Sequence, residues 1–308
     1  MTKPPKPTVS IIGAGRLGQA LALALQSSGY PILALVARHR QKAGKAAALL
    51  SKTQGKPKPL ALAANQLAKL PETDLILVAT PDDAIAETAL TLSSLLTGKA
   101  RTAFLHTSGA LSSEALAPLA KNGFQTGSIH PLVSISDSVS GAASLRGAFF
   151  CLEGTRKAKL LAAAIVRDLG GNSFEIKPAN KALYHAAAVM ASPHLTALFE
   201  LATEMLAACG LSQSKAQQVF MPLLESTVNN LKTSNPRQAL TGTFARGDVA
   251  TVRRHLEALS RPEFAAALEV YKLLGLRSLQ LAEKKDLDER LLKEIRKLLI
   301  KGNRGIGE

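Results

Sequence analysis

The first acidic residue of this 308-residue chain is Glu72, and the 71 residues before it carry eleven lysines and arginines with no aspartate or glutamate. Tryptophan is absent, aromatic residues make up only 4%, and cysteine occurs twice, at Cys151 and Cys209. Each scarcity excludes something. With so few aromatics there is little for bases to stack on, and no basic stripe interleaves with them, so the net charge of +15 does not read as a nucleic-acid surface. The first 71 residues alone hold eleven of those fifteen charges, which places the excess locally. Neither cysteine has a second Cys or a His at ligand spacing; both read as reduced core thiols, without a disulfide or a metal site. No apolar run reaches the roughly 20 residues that cross a bilayer. The start, Met1-Thr2-Lys3-Pro4-Pro5-Lys6-Pro7, lacks the apolar segment of an export signal and reads as a disordered arm. These absences predict a cytoplasmic globular chain with no membrane partner, long enough for two domains with a core each.

What is present is organised around Val9-Ser10-Ile11-Ile12-Gly13-Ala14-Gly15-Arg16-Leu17-Gly18. A β-branched run enters a Gly-x-Gly-x-x-Gly turn, and an Ala/Leu helix pattern follows. Strand, turn and helix in this order aim unpaired N–H groups and a helix N-terminus at one spot, where a pyrophosphate fits. Gly13 permits the turn, Gly15 lets the backbone approach the phosphate, and Gly18 lets helix and strand pack closely. In NAD binders an acid about 20 residues further on takes the ribose diol. Here the second strand, Ile32-Leu33-Ala34-Leu35-Val36-Ala37, ends in Arg38-His39-Arg40 instead. Guanidinium groups suit a 2′-phosphate, so the cofactor predicted is NADP(H).

The chain continues in a strand–helix rhythm. Helix pattern covers 41–52, then come the Gly55-Lys56-Pro57-Lys58-Pro59 break, a weak strand at 60–62 and a continuously apolar one at 74–79, as a parallel strand covered on both faces should be. The latter ends in Ala79-Thr80-Pro81-Asp82, assigned to the cofactor edge, with Asp82 or Asp83 capping the next helix. Strands at 102–105, 124–129, 148–152 and 173–176 follow, which predicts a Rossmann-type doubly wound, mostly parallel sheet over residues 1–177. Residues 178–308 show only helix patterns, at 180–209, 213–232, 249–259, 262–284 and 287–301. The last has Leu287, Leu291, Leu292, Ile295, Leu298 and Leu299 on one stripe, for packing on its own domain or a sister subunit.

Open α/β sheets bind ligands at the carboxyl ends of their strands. His106, Ser108 and His130 all fall there. In the helical part, Lys181 and His185 lie about 40° apart around a helix and Lys181 and Ser192 about 20°, so all three share a face, with Pro193 bending the helix just beyond. Reduction of a carbonyl places negative charge on oxygen, and an ammonium can donate to it. Lys181 is therefore the expected proton donor. His185 tunes it or binds a polar substrate group, Ser108 and His130 approach from the sheet, and His106 and Ser192 contact substrate. Arg246, in Leu240-Thr241-Gly242-Thr243-Phe244-Ala245-Arg246-Gly247-Asp248, suits a substrate carboxylate, and Asp248 reads as a helix cap.

The motifs Gly13-x-Gly15-x-x-Gly18, Ala79-Thr80-Pro81-Asp82, His106-x-Ser108-Gly109, His130-Pro131-Leu132, Tyr184-His185-Ala186-Ala187 and Leu240-Thr241-Gly242 with Ala245-Arg246-Gly247-Asp248 together resemble the bacterial Rossmann-like plus DUF2520 proteins, over nearly the whole chain. The resemblance implies an NAD(P)-binding oxidoreductase, usually dimeric, with a helical domain similar to that of 6-phosphogluconate dehydrogenase. In more distant relatives a helix Lys followed four residues later by Asn is catalytic; here His185 holds the second place. The family's usual Pro after the Leu-Thr-Gly glycine is Thr243 here. The expected activity is hydride transfer between NADP(H) and a small carbonyl or hydroxy-acid substrate. Pyrroline-type imine reduction and a non-catalytic NADPH sensor are the alternatives.

Overall fold

The computed structural model describes residues 5–52, 57–96, 101–282 and 288–301. The first four residues of the N-terminal arm, Gly55-Lys56 of the break, Leu287 of the last stripe and the tail from Gly302 lie outside the described residues. The chain divides into two compact units, Met1–Ser192 and Pro193–Glu308.

The first unit is an eight-stranded sheet of β1 (Val9–Ile12), β2 (Ile32–Ala37), β3 (Leu60–Ala63), β4 (Leu75–Val78), β5 (Ala103–His106), β6 (Gln125–Pro131), β7 (Phe149–Gly154) and β8 (Asn172–Glu175). Their order is β3-β2-β1-β4-β5-β6-β7-β8. All pairs are parallel except β6 with β7, which runs antiparallel. The helices are α1 (Arg16–Ser27), α2 (Arg40–Lys52), α3 (Asp82–Leu95), α4 (Ala117–Lys121), α5 (Ser138–Ser144), α6 (Arg156–Asp168) and α7 (Lys181–Ala191). Alternation along the strands feeds two cores. Ile11, Leu35, Leu75 and Leu77 pack with Leu21, Leu25 and Leu50 on one face. Ile12, Val36, Ile76 and Val78 pack with Ile85, Leu92 and Leu119 on the other. Burial on both faces is why the central strands read as unbroken apolar runs. The order 3-2-1-4 reverses direction between β1 and β4, and that switch point opens the crevice at which such sheets bind ligands.

Three expectations are modified here. The end of the N-terminal arm is tied down, because Lys6 pairs with Asp168, which also accepts from the Tyr30 hydroxyl at 2.6 Å. The first unit also runs past the Lys177-Pro178 break to Ser192. Its last helix, α7, stays with the sheet because the Lys181 side chain is buried in it. The helix expected over 180–209 is two helices, since Ser192 leaves helical geometry (φ −130°, ψ −77°) before Pro193. Proline has no N–H to continue the ladder, and it pushes its predecessor out of the helical region.

The second unit holds α8 (Pro193–Ala207), α9 (Gln213–Thr233), α10 (Pro236–Ala239), α11 (Gly242–Ala245), α12 (Val249–Ala258), α13 (Ala265–Ala282) and α14 (Glu289–Lys301), with no strand among the described residues. Leu292, Ile295 and Leu299 of α14 bury their stripe against Val252 of α12 and Leu279 and Ala282 of α13. Asp248 caps α12, accepting from the Thr251 N–H at 3.0 Å. Cys209 is exposed and not a core thiol, because it falls in the turn after the last residues of α8, whereas Cys151 in mid-β7 is buried. No helix among the described residues is long and apolar enough to cross a membrane.

At Gly18 an added Cβ would stand 2.0 Å from the Gly13 carbonyl oxygen, a backbone atom that cannot swing aside. Gly18→Ala is therefore expected to lower unfolding free energy by about 1–3 kcal/mol, read by denaturant titration. An unchanged midpoint would mean that α1 does not sit this close to the turn.

Candidate active site

The Gly-x-Gly-x-x-Gly segment closes as the residues require. Gly13 has φ +109°, and a Cβ there would meet the Ala79 carbonyl oxygen at 2.3 Å, so only glycine lets the turn lie against the end of β4. Its N–H and that of Ala14 both donate to Val36 O at 2.9 Å, and the Gln19 side chain donates to Ala14 O at 2.8 Å. Gly15 is different: a Cβ there would meet nothing within 4 Å. It is the N-cap of α1, no side chain caps that helix, and no acid lies in its first turn. The N–H groups of such an end are free for an anion. Beside the turn, Thr80 Oγ1 is the one buried side-chain polar atom without a partner among the described residues. An open helix end next to an orphaned hydroxyl has the donors that a dinucleotide diphosphate would need; Gly13, Ala14, Gly15, Arg16, Leu17 and Gly18 would form its cradle and Ala79, Thr80 and Pro81 its wall. Arg38, His39 and Arg40 are exposed where β2 passes into α2. Asp82 is the first residue of α3, not its cap.

Further along the same sheet edge, register puts Val78 beside His106, His106 beside Ser128, and His130 opposite Cys151. Into this edge α7 inserts Lys181, which is 1% exposed. Its Nζ donates to Ser108 O at 2.9 Å and to Ser128 Oγ at 3.2 Å. Burial holds its pKa below the usual lysine range, against the pull of Cys151, Glu153 and Asp82. Lys181 was expected at the substrate. It lies beneath the surface instead, spent on protein acceptors, so the role of direct proton donor does not suit it.

His106 and Ser108 are likewise committed to structure. His106 is fully buried; its Nε2 donates to Ser112 O at 3.0 Å, and its Nδ1 accepts from the Ser108 N–H at 3.2 Å. Burial pushes its pKa down to about 4. Both ring nitrogens are used, which removes His106 from substrate contact. Ser108 Oγ donates to Asp82 at 2.8 Å and accepts from the N–H groups of Ala110 at 3.1 Å and Leu111 at 3.0 Å. A hydroxyl has one donor and two lone pairs, so Ser108 is saturated and shapes the loop rather than the reaction.

His130 is the group left facing outward. Its Nδ1 is 2.6 Å from the Tyr184 hydroxyl. Its ring lies edge to face with Tyr184 at 5.6 Å and with His185 at 5.8 Å. Its Nε2 has no hydrogen bond among the described residues and is not a buried orphan, so solvent reaches it. Beside it is Gly109, where a Cβ would stand 2.8 Å from His130 Nε2 and 2.4 Å from His185 Cδ2. The missing side chain is what leaves room at the two imidazoles. Burial holds His130 down at about 4, and the charges of Lys181, His185 and His106 push the same way.

The structure thus gathers Lys181, His185, Ser108, His130 and His106, but not Ser192. That residue lies about 16 Å along the helix axis from Lys181, because a shared face over three turns is not a shared place. Arg246 is exposed in the second unit, just after α11. Sequence reasoning passed over Ser128 and Glu153, and it gave Tyr184, present in the Tyr184-His185-Ala186-Ala187 motif, no role of its own. The first had a signal: Thr126, Ser128 and His130 alternate, giving a strand of the interior one polar face.

Comparison with protein families gives a Rossmann-like domain over residues 1–131 and a domain of unknown function, DUF2520, over residues 148–278. The chain belongs to the Rossmann-like plus DUF2520 proteins. Solved structures similar to this DUF2520 protein include a Bacteroides fragilis protein described as a candidate NADP oxidoreductase, at 22% identity and TM-score 0.70, covering 90% of this chain and 99% of that one. Another is protein TM1727 from Thermotoga maritima, at 25% identity and TM-score 0.68 with the same coverage. The 1-pyrroline-5-carboxylate reductase of Streptococcus pyogenes follows at 15% identity and TM-score 0.60, covering 95% and 99%. No curated protein matches the sequence. These likenesses bear on the fold.

The buried His106 makes the DUF2520 protein sensitive to acid. Its folded pKa of about 4 lies below the ordinary value near 6.5, so between those limits the unfolded chain takes up a proton that the folded chain refuses. Stability is whole above about pH 6.5 and falls by up to about 3 kcal/mol as pH drops to 4. His106→Gln keeps a donor for Ser112 and loses this contribution. Denaturant unfolding at pH 7 and 4.5 should show a smaller pH effect in the variant; equal slopes would disprove the assignment.

Proposed function

We propose that this protein is an NADP(H)-dependent reductase or dehydrogenase acting on a small carbonyl or hydroxy-acid substrate. The observation that carries the reading is the open N-terminus of α1 beside the orphaned Thr80 hydroxyl, on the same sheet edge as the outward-facing His130. When bound, the reduced nicotinamide supplies the hydride; the carbonyl carbon receives it and the oxygen takes a proton. His130 Nε2 is the group able to meet that oxygen, with His185 beside it. Lys181 supports them at one remove, by holding the Ser108 carbonyl and Ser128 and by keeping a positive charge under the imidazoles. Arg38 and Arg40 favour NADP(H), since no carboxylate precedes Glu72 to take a ribose diol.

The fold likeness to the Streptococcus pyogenes pyrroline-carboxylate reductase favours a second reading, in which the acceptor is a cyclic imine. Two free thiols fit a reducing compartment, hence the cytoplasm. Exposed Leu195, Leu198, Val219, Leu223 and Leu231 on α8 and α9 support a homodimer through the helical unit.

Parallel titration with NADPH and NADH, followed by nicotinamide fluorescence, tests the cofactor; the chain has no tryptophan to interfere. Tighter NADPH binding is expected, and replacing Arg38 and Arg40 by Ala should raise the NADPH Kd about 10²-fold while leaving NADH unchanged. Equal effects on the two cofactors would remove the arginines from the site. A reductive panel of 2-keto acids and cyclic imines then separates the two substrate readings.

A further inference from the structure

Tyr184 is one of three tyrosines in the chain, and it is half-buried in α7, three residues after Lys181 and next to His185. Its ring is held edge to face between His130 at 5.6 Å and Phe174 at 5.9 Å, and Lys181 Nζ lies 5.8 Å from the ring centre. The hydroxyl lies 2.6 Å from His130 Nδ1, and the thiol of buried Cys151 is close enough to bear on it electrostatically. A phenol has one hydrogen to give. An imidazole nitrogen is a strong acceptor and a thiol sulfur a weak one, whereas S–H can donate to the phenol oxygen. The phenol O–H therefore goes to the stronger acceptor, Nδ1, which leaves the imidazole hydrogen on Nε2.

From this we infer that Tyr184 is a positioning residue: by donating to His130 Nδ1 it fixes the tautomer with hydrogen on Nε2, aimed past Gly109 as a donor to the substrate's carbonyl oxygen or imine nitrogen. Three features act together. Gly109 leaves the space into which Nε2 points, since a Cβ there would fall 2.8 Å from that atom. The packing of His130 between Tyr184 and His185 sets the ring plane. Lys181, His185 and His106, the basic groups that face His130, all oppose a second proton on its ring, so at neutral pH it serves as an uncharged donor. A neutral imidazole of fixed tautomer strengthens its hydrogen bond as charge develops on the acceptor, and no proton need arrive at the ring beforehand. The inference rests on the oxidoreductase reading for the identity of the acceptor, but not for the tautomer.

The test uses the full chain labelled with ¹⁵N at histidine, and two-bond ¹H–¹⁵N correlation spectra at pH 7. His130 is assigned as the signal lost in His130→Gln. In the wild type, His130 should show hydrogen on Nε2 and a bare Nδ1. In Tyr184→Phe, a change that keeps the ring and removes the hydroxyl, its pattern should become a mixture of tautomers while the other five histidines stay put. Hydrogen on Nδ1 in the wild type, or an unchanged pattern in Tyr184→Phe, overturns the proposal. With the substrate found by the reductive panel, Tyr184→Phe should lower kcat about 10²-fold at unaltered NADPH Kd. A wild-type kcat would make the pair structural only. The spectra need no substrate, so a failure of the oxidoreductase reading and a failure of the tautomer are told apart. Should Tyr184→Phe fold poorly, Cys151→Ala serves as the second variant: the proposal requires hydrogen to remain on Nε2 there, because Tyr184 still donates.

Discussion

A lysine ammonium sealed beneath a sheet edge is the constraint from which the site follows. Taking that charge out of water is costly unless its hydrogens find acceptors and its field finds counter-charge. Lys181 meets both conditions by drawing three chain segments together: α7, which carries it; the loop after β5, whose Ser108 carbonyl it holds; and β6, which contributes Ser128 Oγ. Glu153, opposite Ser128 on β7, and Asp82 at the start of α3 supply the negative field. Asp82 in turn fixes Ser108, and Glu153 fixes Ser113 through both carboxylate oxygens. The loop that forms the floor of the crevice is thus clamped at both ends by groups answering to one buried charge. This is also why α7 belongs with the sheet and not with the helices after Pro193.

Burial, with the same charge adding to it, keeps two histidines neutral. An imidazole near a buried ammonium and shielded from water gains little by taking a proton, and His106 and His130 both stay neutral well below their ordinary range. Neutrality has different uses at the two positions. His106 spends both nitrogens on its own loop, whereas His130 spends one on Tyr184 and keeps the other for whatever enters the crevice. Two residues of one type at adjacent strand ends therefore divide into scaffold and donor by partner count, a distinction that distance to the crevice alone would miss.

Much of this was legible in the sequence. The eight strands, the glycine turn and the Asp248 cap all rest on local rules, in which period, β-branching and turn chemistry act over a few residues. The strand-end cluster was legible too, because parallel topology sends every strand's carboxyl end to one edge. What could not be read was which atoms of that cluster remain free. Ser108 is a residue type able to act as a nucleophile, but its three hydrogen-bonding capacities are consumed by Asp82 and two backbone amides of its own loop. Lys181 was found for the right reason, as a polar group on an apolar helix, and given the wrong depth, because a helical wheel states direction and not burial. Ser192 shows the other weakness of the wheel, which discards the axial coordinate and cannot foresee that Pro193 ends the helix. Cys209 was placed inside by composition and lies outside, since the turn ending α8 faces water.

The polar face of β6 shows how such a site can be built into a fold that otherwise tolerates only apolar strands. Thr126, Ser128 and His130 alternate with Gly127 and Ile129, and a central strand carrying three polar side chains on one face must have that face answered residue by residue. Helix α7 answers it with Lys181 on Ser128 and Tyr184 on His130, while the register of the antiparallel β7 sets Glu153 against Ser128 and Cys151 against His130. The one reversal of direction in an otherwise parallel sheet falls at this seam. A crossover helix would have placed β7 parallel to β6, with a slanted pattern of hydrogen bonds between them. The antiparallel neighbour brings an acid and a thiol level with the serine and histidine. Lys181 and Tyr184, one helical turn apart on α7, then close the gap from above, the ammonium on Ser128 and the Ser108 carbonyl and the phenol on His130. Two rungs of the ladder, with the apolar Ile129–Leu152 pair between them, thereby become two layers of one polar cluster, the lower holding the loop in place and the upper presenting the donor.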